Sequence, residues 1–271
     1  MKRAKIFFTD LDGTLLNSRK QVSPEDKAAV LEALEQGCRI AVNTGRPLPA
    51  VLPLLERTGL NRQGCFAVTY NGGLIYDCGS GETLYKKTLS RMYVRHIFQE
   101  AEKQDLYVQT YDSQSLICRR YTEETRLYCE ASAIGWREDP DLLNHLREDP
   151  VKAVAIDYRN PERLCAFRSQ LEPWAAGKVS MYFSSEFLLE FVSQGISKGG
   201  AVRFLCGRLG ISPEEAVAAG DAENDIPMLQ AAGIGAAVAN AAPEVKAAAD
   251  WTSERDCDHS AVSQILHRFL L

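Results

Sequence analysis

At 271 residues the chain is long for one core and has room for two domains. Its 45% hydrophobic and 25% charged content is ordinary for a soluble globular protein. A formal net charge of −5 argues against nucleic acid or an anionic membrane as partner, since both need a basic footprint. It leaves room for a locally positive site that takes a small anion.

The first predicted element is a buried strand over residues 6–8, apolar without alternation, as in parallel sheets. Asp10 and Asp12 follow it, with Gly13 directly after, so two carboxyl groups stand at the carboxyl end of a strand. Open α/β sheets carry their chemistry there. Two such acids repel unless a cation lies between them or one keeps its proton. A solvated turn is the plainer alternative. A calcium loop does not fit, because the glycine is fourth and position twelve is Gln21.

Ser23-Pro24-Glu25-Asp26 predicts a capped helix that turns Val30, Leu31 and Leu34 inward and ends at Gly37. A second strand, 38–42, ends in Asn43-Thr44-Gly45-Arg46, and Pro47 opens a helix running to about residue 57. A hydroxyl and a glycine amide ahead of a helix N-terminus form an anion cradle, though Thr44 could equally be a simple cap. A third strand, 65–70, ends in Asn71-Gly72-Gly73, and a hairpin joins 74–76 to 83–85.

From about residue 84 the texture changes. Helices are predicted at 91–103, 122–132 and 161–171, and strands at 106–110, 116–119, 151–157, 179–183 and 188–192. No strand tip here carries an Asp or Thr-Gly signature, so residues 84–190 read as a separate α+β unit inserted into the first. Eight of the ten tyrosines fall in it, beside Arg119 and Arg120, which suggests a sugar or ring-bearing ligand. Packing in the unit's own core is the plainer account of any one of them.

The first unit resumes at Ser197-Lys198, which opens a helix to about residue 209. A lysine at a helix N-terminus opposes the dipole and makes sense beside an anion. A fourth strand, 216–219, ends in Gly220-Asp221-Ala222-Glu223-Asn224-Asp225. A short strand at 234–238 and two helices, after Pro243 and from Ser260, complete the chain. Eight cysteines lie scattered without a Cys-x-x-Cys pair, and Cys38, Cys65 and Cys206 sit in apolar runs. Reduced thiols and a cytoplasmic location are expected. Met1-Lys2-Arg3 is basic like a signal peptide, but the apolar run after it stops too soon for one, and no run has the length of a membrane span.

If the strands are parallel, one sheet edge gathers Asp10, Asp12, Thr44, Lys198, Asp221, Asn224 and Asp225. Hard oxygen ligands of this kind suit magnesium, and the hydroxyl, glycine amide and lysine suit a phosphoryl group. The residues thus point to phosphoryl chemistry.

The ordered set DLDGT, NTGR, ISKGG and GDAENDIPML resembles the haloacid dehalogenase superfamily of phosphatases. The Asn71-Gly72-Gly73 tip and the large insert make it similar to the Cof-type branch, whose members hydrolyse sugar phosphates and other small phosphorylated metabolites. The resemblance covers nearly the whole chain. It implies a Rossmann-like parallel-sheet core, residues 1–83 and 191–271, and an α/β cap, residues 84–190, that selects the substrate. By motif it implies Asp10 as nucleophile and Asp12 as general acid and base. Thr44, Gly45 and Lys198 would hold the phosphoryl group, with Arg46 reaching the substrate. Magnesium would be bound by Asp10, Asp221 and the main-chain carbonyl of Asp12. Asn224 and Asp225 would steady the metal's waters and the phosphate, with Asn71 and Gly72 in support. Phosphotransfer between sugars, or phospholigand binding without turnover, are the alternatives. Two departures stand out: Asn43 replaces a small apolar residue, and Asp258-His259-Ser260-Ala261 replaces an acid-acid-glycine-valine turn.

Overall fold

Ile6, Phe7 and Phe8 are wholly buried, as their unbroken apolar run demands of a central strand. The computed structural model describes residues 4–271, so the basic start Met1-Lys2-Arg3 lies outside the described residues. In chain order the strands are β1 (Ile6–Thr9), β2 (Arg39–Asn43), β3 (Cys65–Thr69), β4 (Leu74–Asp77), β5 (Glu82–Lys86), β6 (Tyr107–Tyr111) and β7 (Leu116–Cys118). They continue as β8 (Trp136–Glu138), β9 (Lys152–Ile156), β10 (Val179–Ser185), β11 (Leu188–Ser193), β12 (Ala216–Gly220), β13 (Ile234–Ala237) and β14 (Trp251–Thr252). Two sheets result: an eight-stranded one, ordered β14-β13-β12-β1-β2-β3-β4-β5, and a six-stranded one, ordered β10-β11-β9-β6-β7-β8.

The larger sheet is parallel from β14 to β3, and β4 and β5 extend it as an antiparallel hairpin. β1 sits between β2 and β12, which leave it in opposite directions along the sheet. Its carboxyl end is therefore a topological switch point, where α/β sheets open a crevice. The protein is of the α/β class with a parallel-sheet core. The first helix, Pro24–Glu35, is capped by the Ser23 hydroxyl as expected, but it buries Ala29, Val30 and Ala33 and leaves Leu31 and Leu34 half-buried. Ser260, which stands where the acid-acid-glycine-valine turn would carry glycine, takes a left-handed backbone with φ 61°. Its hydroxyl lies 2.8 Å from that of Ser23.

The six-stranded sheet is mostly antiparallel, apart from the parallel pair β7 and β8. One face carries Ala153 and Ala155 against the helices Arg91–Glu102 and Glu162–Ala175. The other carries Val154 and Ile156 with Tyr111 and Tyr128, and packs on Tyr70 and Leu74 of the first unit. Period-two alternation thus gives this sheet a core of its own and a docking face. The boundaries expected at 84 and 190 fall inside β5 and β11. All eight cysteines are unbridged, and no described helix is long and apolar enough to cross a membrane.

Candidate active site

Asp10 follows β1 directly, with its amide bonded to Ala219 of β12 at 2.9 Å, so the sheet fixes its position. One carboxylate oxygen meets Lys198 Nζ at 2.5 Å, and the same ammonium meets Asp225 Oδ1 at 2.6 Å. Lys198 is fully enclosed at the start of the helix Lys198–Leu209. Burial alone would lower its pKa, but Asp10 and Asp225 outweigh that and raise it. The other oxygen of Asp225 accepts the amides of Asp221 and Ala222, both at 3.0 Å, and so closes the turn after β12.

Asp221 accepts from the Thr14 hydroxyl at 2.8 Å. Gly13, with φ 84°, is needed here twice over: for its backbone angle, and because a Cβ would lie 2.5 Å from Asp221 Oδ2. Burial, followed by repulsion from Asp225, pushes the Asp221 carboxyl up to about 7. Burial also raises Asp10 well above the carboxylate range, with Asp225, Asp221 and Asp12 adding to it and Lys198 opposing. Asp10, Asp221 and Asp225 offer oxygens all within 4.8 Å of one another. Asp225 uses both oxygens on protein donors. Asp10 and Asp221 each engage one oxygen, with Lys198 and Thr14 respectively, and can offer the other to a cation. The buried Oδ1 of Asn224 has no hydrogen-bond partner among the described residues. A donor set of hard oxygens, raised by burial and then by mutual repulsion, beside an orphaned acceptor, fits a hydrated divalent cation.

Asp12 faces differently. Arg46 grips it with Nε to Oδ2 at 2.6 Å and Nη2 to Oδ1 at 2.7 Å, and Lys20 Nζ adds a contact at 2.7 Å. Burial acts to raise this carboxyl, but the bonds and charges of Arg46 and Lys20 prevail and hold it below its ordinary range. Arg46 also donates to the carbonyls of Ala131 at 2.9 Å and Ser132 at 3.4 Å, in the inserted unit. The Thr44 hydroxyl accepts the Arg46 amide at 3.1 Å and so caps its own turn. Asn224 donates to Asn71 Oδ1 at 3.1 Å, while Gly72 packs against the Ser197 carbonyl rather than facing the cavity. Asn43 is fully buried and donates to the Lys198 carbonyl at 3.1 Å and Met228 Sδ at 3.2 Å.

Asp10, Asp12, Thr44, Gly45, Arg46 and Asn224 line a cavity of about 220 Å³, closed on the far side by Tyr128, Ser132, Tyr158, Ser184, Leu188 and Glu190. Arg119 and Arg120 are elsewhere, in a separate hollow with Phe98 and Tyr107. Of the inserted tyrosines, Tyr128 and Tyr158 reach the cavity. His259 is an exposed residue ending the short 3-10 turn Cys257–His259, bonded to Asp256 and outside the cavity lining.

A family model described as haloacid dehalogenase-like hydrolase matches residues 7–266. The chain belongs to this family. Phosphatase YwpJ of Bacillus subtilis is 27% identical over 286 residues, spanning 97% of this chain and 99% of its own. From the same bacterium, 5-amino-6-(5-phospho-D-ribitylamino)uracil phosphatase YcsE is 27% identical over 266 residues, spanning 97% and 95%. The crystal structure of a haloacid dehalogenase-like hydrolase from Bacteroides thetaiotaomicron is 30% identical, with a TM-score of 0.87 over 98% of this chain and 99% of that one.

Within this hydrolase fold, several residues around the site carry no motif. Lys20, Lys152, Ser184 and Glu190 make contacts at or beside the cavity, while Thr14, which bonds Asp221, lies inside the DLDGT motif. For Lys152 and Glu190 a signal existed: a lysine and a glutamate inside the apolar runs VKAVAI and LLEFV. Such charges are almost never fully buried unless paired.

Proposed function

We propose that the chain is a magnesium-dependent phosphatase of small phosphorylated metabolites, working through an aspartyl-phosphate on Asp10. One observation carries the reading: a buried strand-tip carboxylate, paired with Lys198 and grouped with Asp221, opens into a cavity that Asp12 also lines. The relatives named as phosphatases support it. Asp10 would attack the phosphorus while the bond to the leaving oxygen breaks and Asp12 supplies that oxygen's proton. Water, deprotonated by Asp12, would then attack the phosphorus and release phosphate. Thr44 and Lys198 would hold the transferring oxygens, and the turn at Gly45 would leave the phosphoryl group room. A carboxylate approaching a phosphate meets like charge, at about 4 kcal/mol for each unit pair near 4 Å at an effective dielectric of about 20. Magnesium held by Asp10, Asp221 and the Asp12 carbonyl would neutralise that charge when bound.

Arg46 and Lys20 keep Asp12 ionised, which suits activation of water but opposes proton donation. An incoming phosphoryl group would draw these cations from Asp12 and let it take up its proton. The inserted unit would act as a cap over residues 84–190, excluding water and contacting the leaving group. The test is a screen of phosphorylated metabolites with magnesium, ranked by kcat/KM and read as phosphate release without an acceptor sugar. Phosphate release is expected for at least one ester. Turnover that needs an acceptor sugar would mean phosphotransfer, and binding without turnover would leave a phospholigand-binding protein.

A further inference from the structure

Lys152 and Glu190 form an ion pair at 2.8 Å with 0% and 3% of their side chains exposed. They stand on neighbouring strands, β9 and β11, where Lys152 pairs with Val192 and Glu190 with Val154, so both project from the sheet face that meets the first unit. Taking two charges out of water costs several kcal/mol per ion, and apolar side chains often fill such a place with equal or better stability. The pair is thus poorly explained by stability. Its contacts offer another account.

Lys152 Nζ donates to the Gly45 carbonyl at 2.5 Å, on the turn that carries Thr44 and Arg46. Glu190 Oε2 accepts from Asn71 Nδ2 at 2.7 Å, and Asn71 Oδ1 in turn accepts from Asn224 at 3.1 Å. The remaining carboxylate oxygen takes the Ser184 hydroxyl at 2.8 Å. One chain of contacts therefore runs from the inserted sheet through the Gly45 turn and the Asn71 tip to the loop holding Asp221. The approach is close at Gly45: a Cβ there would lie 2.8 Å from Glu190 Oε1, so the carboxylate would have to shift. The inserted unit is fitted to that turn atom by atom.

We infer that Lys152 and Glu190 are positioning residues, which complete the Thr44–Arg46 turn and the Asn71 tip when the inserted unit is seated on the core. Lifting the inserted sheet separates both charges from Gly45 and Asn71 and exposes them to water. Their rehydration offsets the lost contacts, so seating stays reversible while its register stays fixed. The kinetic part of the inference rests on the phosphatase reading above, and the exchange part does not.

The experiment compares the full-length wild type with Lys152→Met/Glu190→Leu, in magnesium. The double variant removes both charges together and leaves no buried ion alone. Two quantities are read: kcat for para-nitrophenyl phosphate with the inhibition constant of inorganic phosphate, and amide exchange of the segments holding Thr44–Arg46 and Tyr70–Asn71. These segments are tied by the bonds from Tyr70 and Asn71 amides to the Arg46 and Thr44 carbonyls. In a folded variant, exchange should speed up about tenfold and kcat should fall at least about tenfold, with weaker phosphate inhibition. A pair serving stability alone would shift the unfolding midpoint and leave the kinetics of the folded enzyme unchanged. Exchange or kcat staying within about twofold of wild type overturns the inference. Should the double variant not fold, Glu190→Gln carries the same two readouts, because it keeps shape and removes charge. A wild type without phosphatase activity would refute the earlier reading and leave the exchange comparison standing.

Discussion

Asp10 is enclosed at the end of β1 with Lys198 against it, whereas Asp12 lies one turn on, with 35% of its side chain exposed between two cations. A fixed carboxylate suits in-line attack, and a less confined one suits proton transfer first to a leaving group and then from water. Asp10→Asn should remove activity and prevent any covalent phosphoenzyme. Asp12→Asn should let an activated ester, whose leaving group needs little protonation, react in part and then stall. Rapid quench with a labelled activated phosphate ester should trap phosphoenzyme in the Asp12 variant and none in the Asp10 variant. Substantial turnover by Asp10→Asn would overturn the assignment. At this scale the tip residues were legible because each is a polar group stranded after an apolar run. Lys20 was not: it returns to Asp12 through a turn in which its own φ is 57°, held by Asn17. Arg46 was expected to reach the substrate, but its grip on Asp12 was not legible, since sequence spacing says nothing of which carboxylate a long side chain will find.

The helix Pro24–Glu35 and the last helix, Ala261–Phe269, meet through Asp26, which is fully buried. It accepts the Ser263 amide at 2.7 Å and the Ser23 hydroxyl at 2.9 Å. Burial nevertheless raises its carboxyl above the ordinary range, against those bonds. A raised acid binds more protons folded than unfolded, so its contribution to stability falls as pH climbs from about 4 through the folded value. Asp26→Asn keeps an acceptor for Ser263 and should lose that slope, matching or exceeding wild-type stability at pH 7. Asp26→Ala should cost about 1–3 kcal/mol, because it leaves a buried amide unpaired. Urea unfolding of the three proteins between pH 4 and pH 8 decides it, and an unchanged slope in Asp26→Asn would reject the cause. Here the sequence showed the cap but not the burial, since an acid in a first turn ordinarily serves the dipole in water. The strand β8 escaped notice for a related reason: Trp136, Arg137 and Glu138 are all exposed at a sheet edge, so no alternation marks them. β14 is two residues long and has no periodicity to read.

Across the whole molecule, two buried carboxylates paired with one lysine and a third, half-buried one meet at the junction of the sheet's two halves. Without a cation, part of the fold's stability depends on protons. Asp221 is pushed up to about 7. An acid raised in the folded state adds stability below that value and loses it as pH rises through it. Metal-stripped protein should therefore lose several degrees of unfolding midpoint between pH 6 and pH 8, by about 2–4 °C for each kcal/mol. A divalent cation that binds the ionised carboxylates stabilises the folded state by mass action and competes with those protons. Magnesium should thus raise the midpoint strongly at pH 8 and weakly at pH 6, flattening the profile. Asp221→Asn should lessen the slope without metal, leaving the share that Asp10 contributes, and abolish the magnesium effect. Calorimetric scans of the two proteins, with magnesium or with chelator, give the comparison. An equal magnesium effect at both pH values, or one that persists in Asp221→Asn, would place the cation away from the strand tips of β1 and β12. The catalytic reading would then lose its metal, and Lys198 alone would have to offset the charge that Asp10 brings to a phosphate.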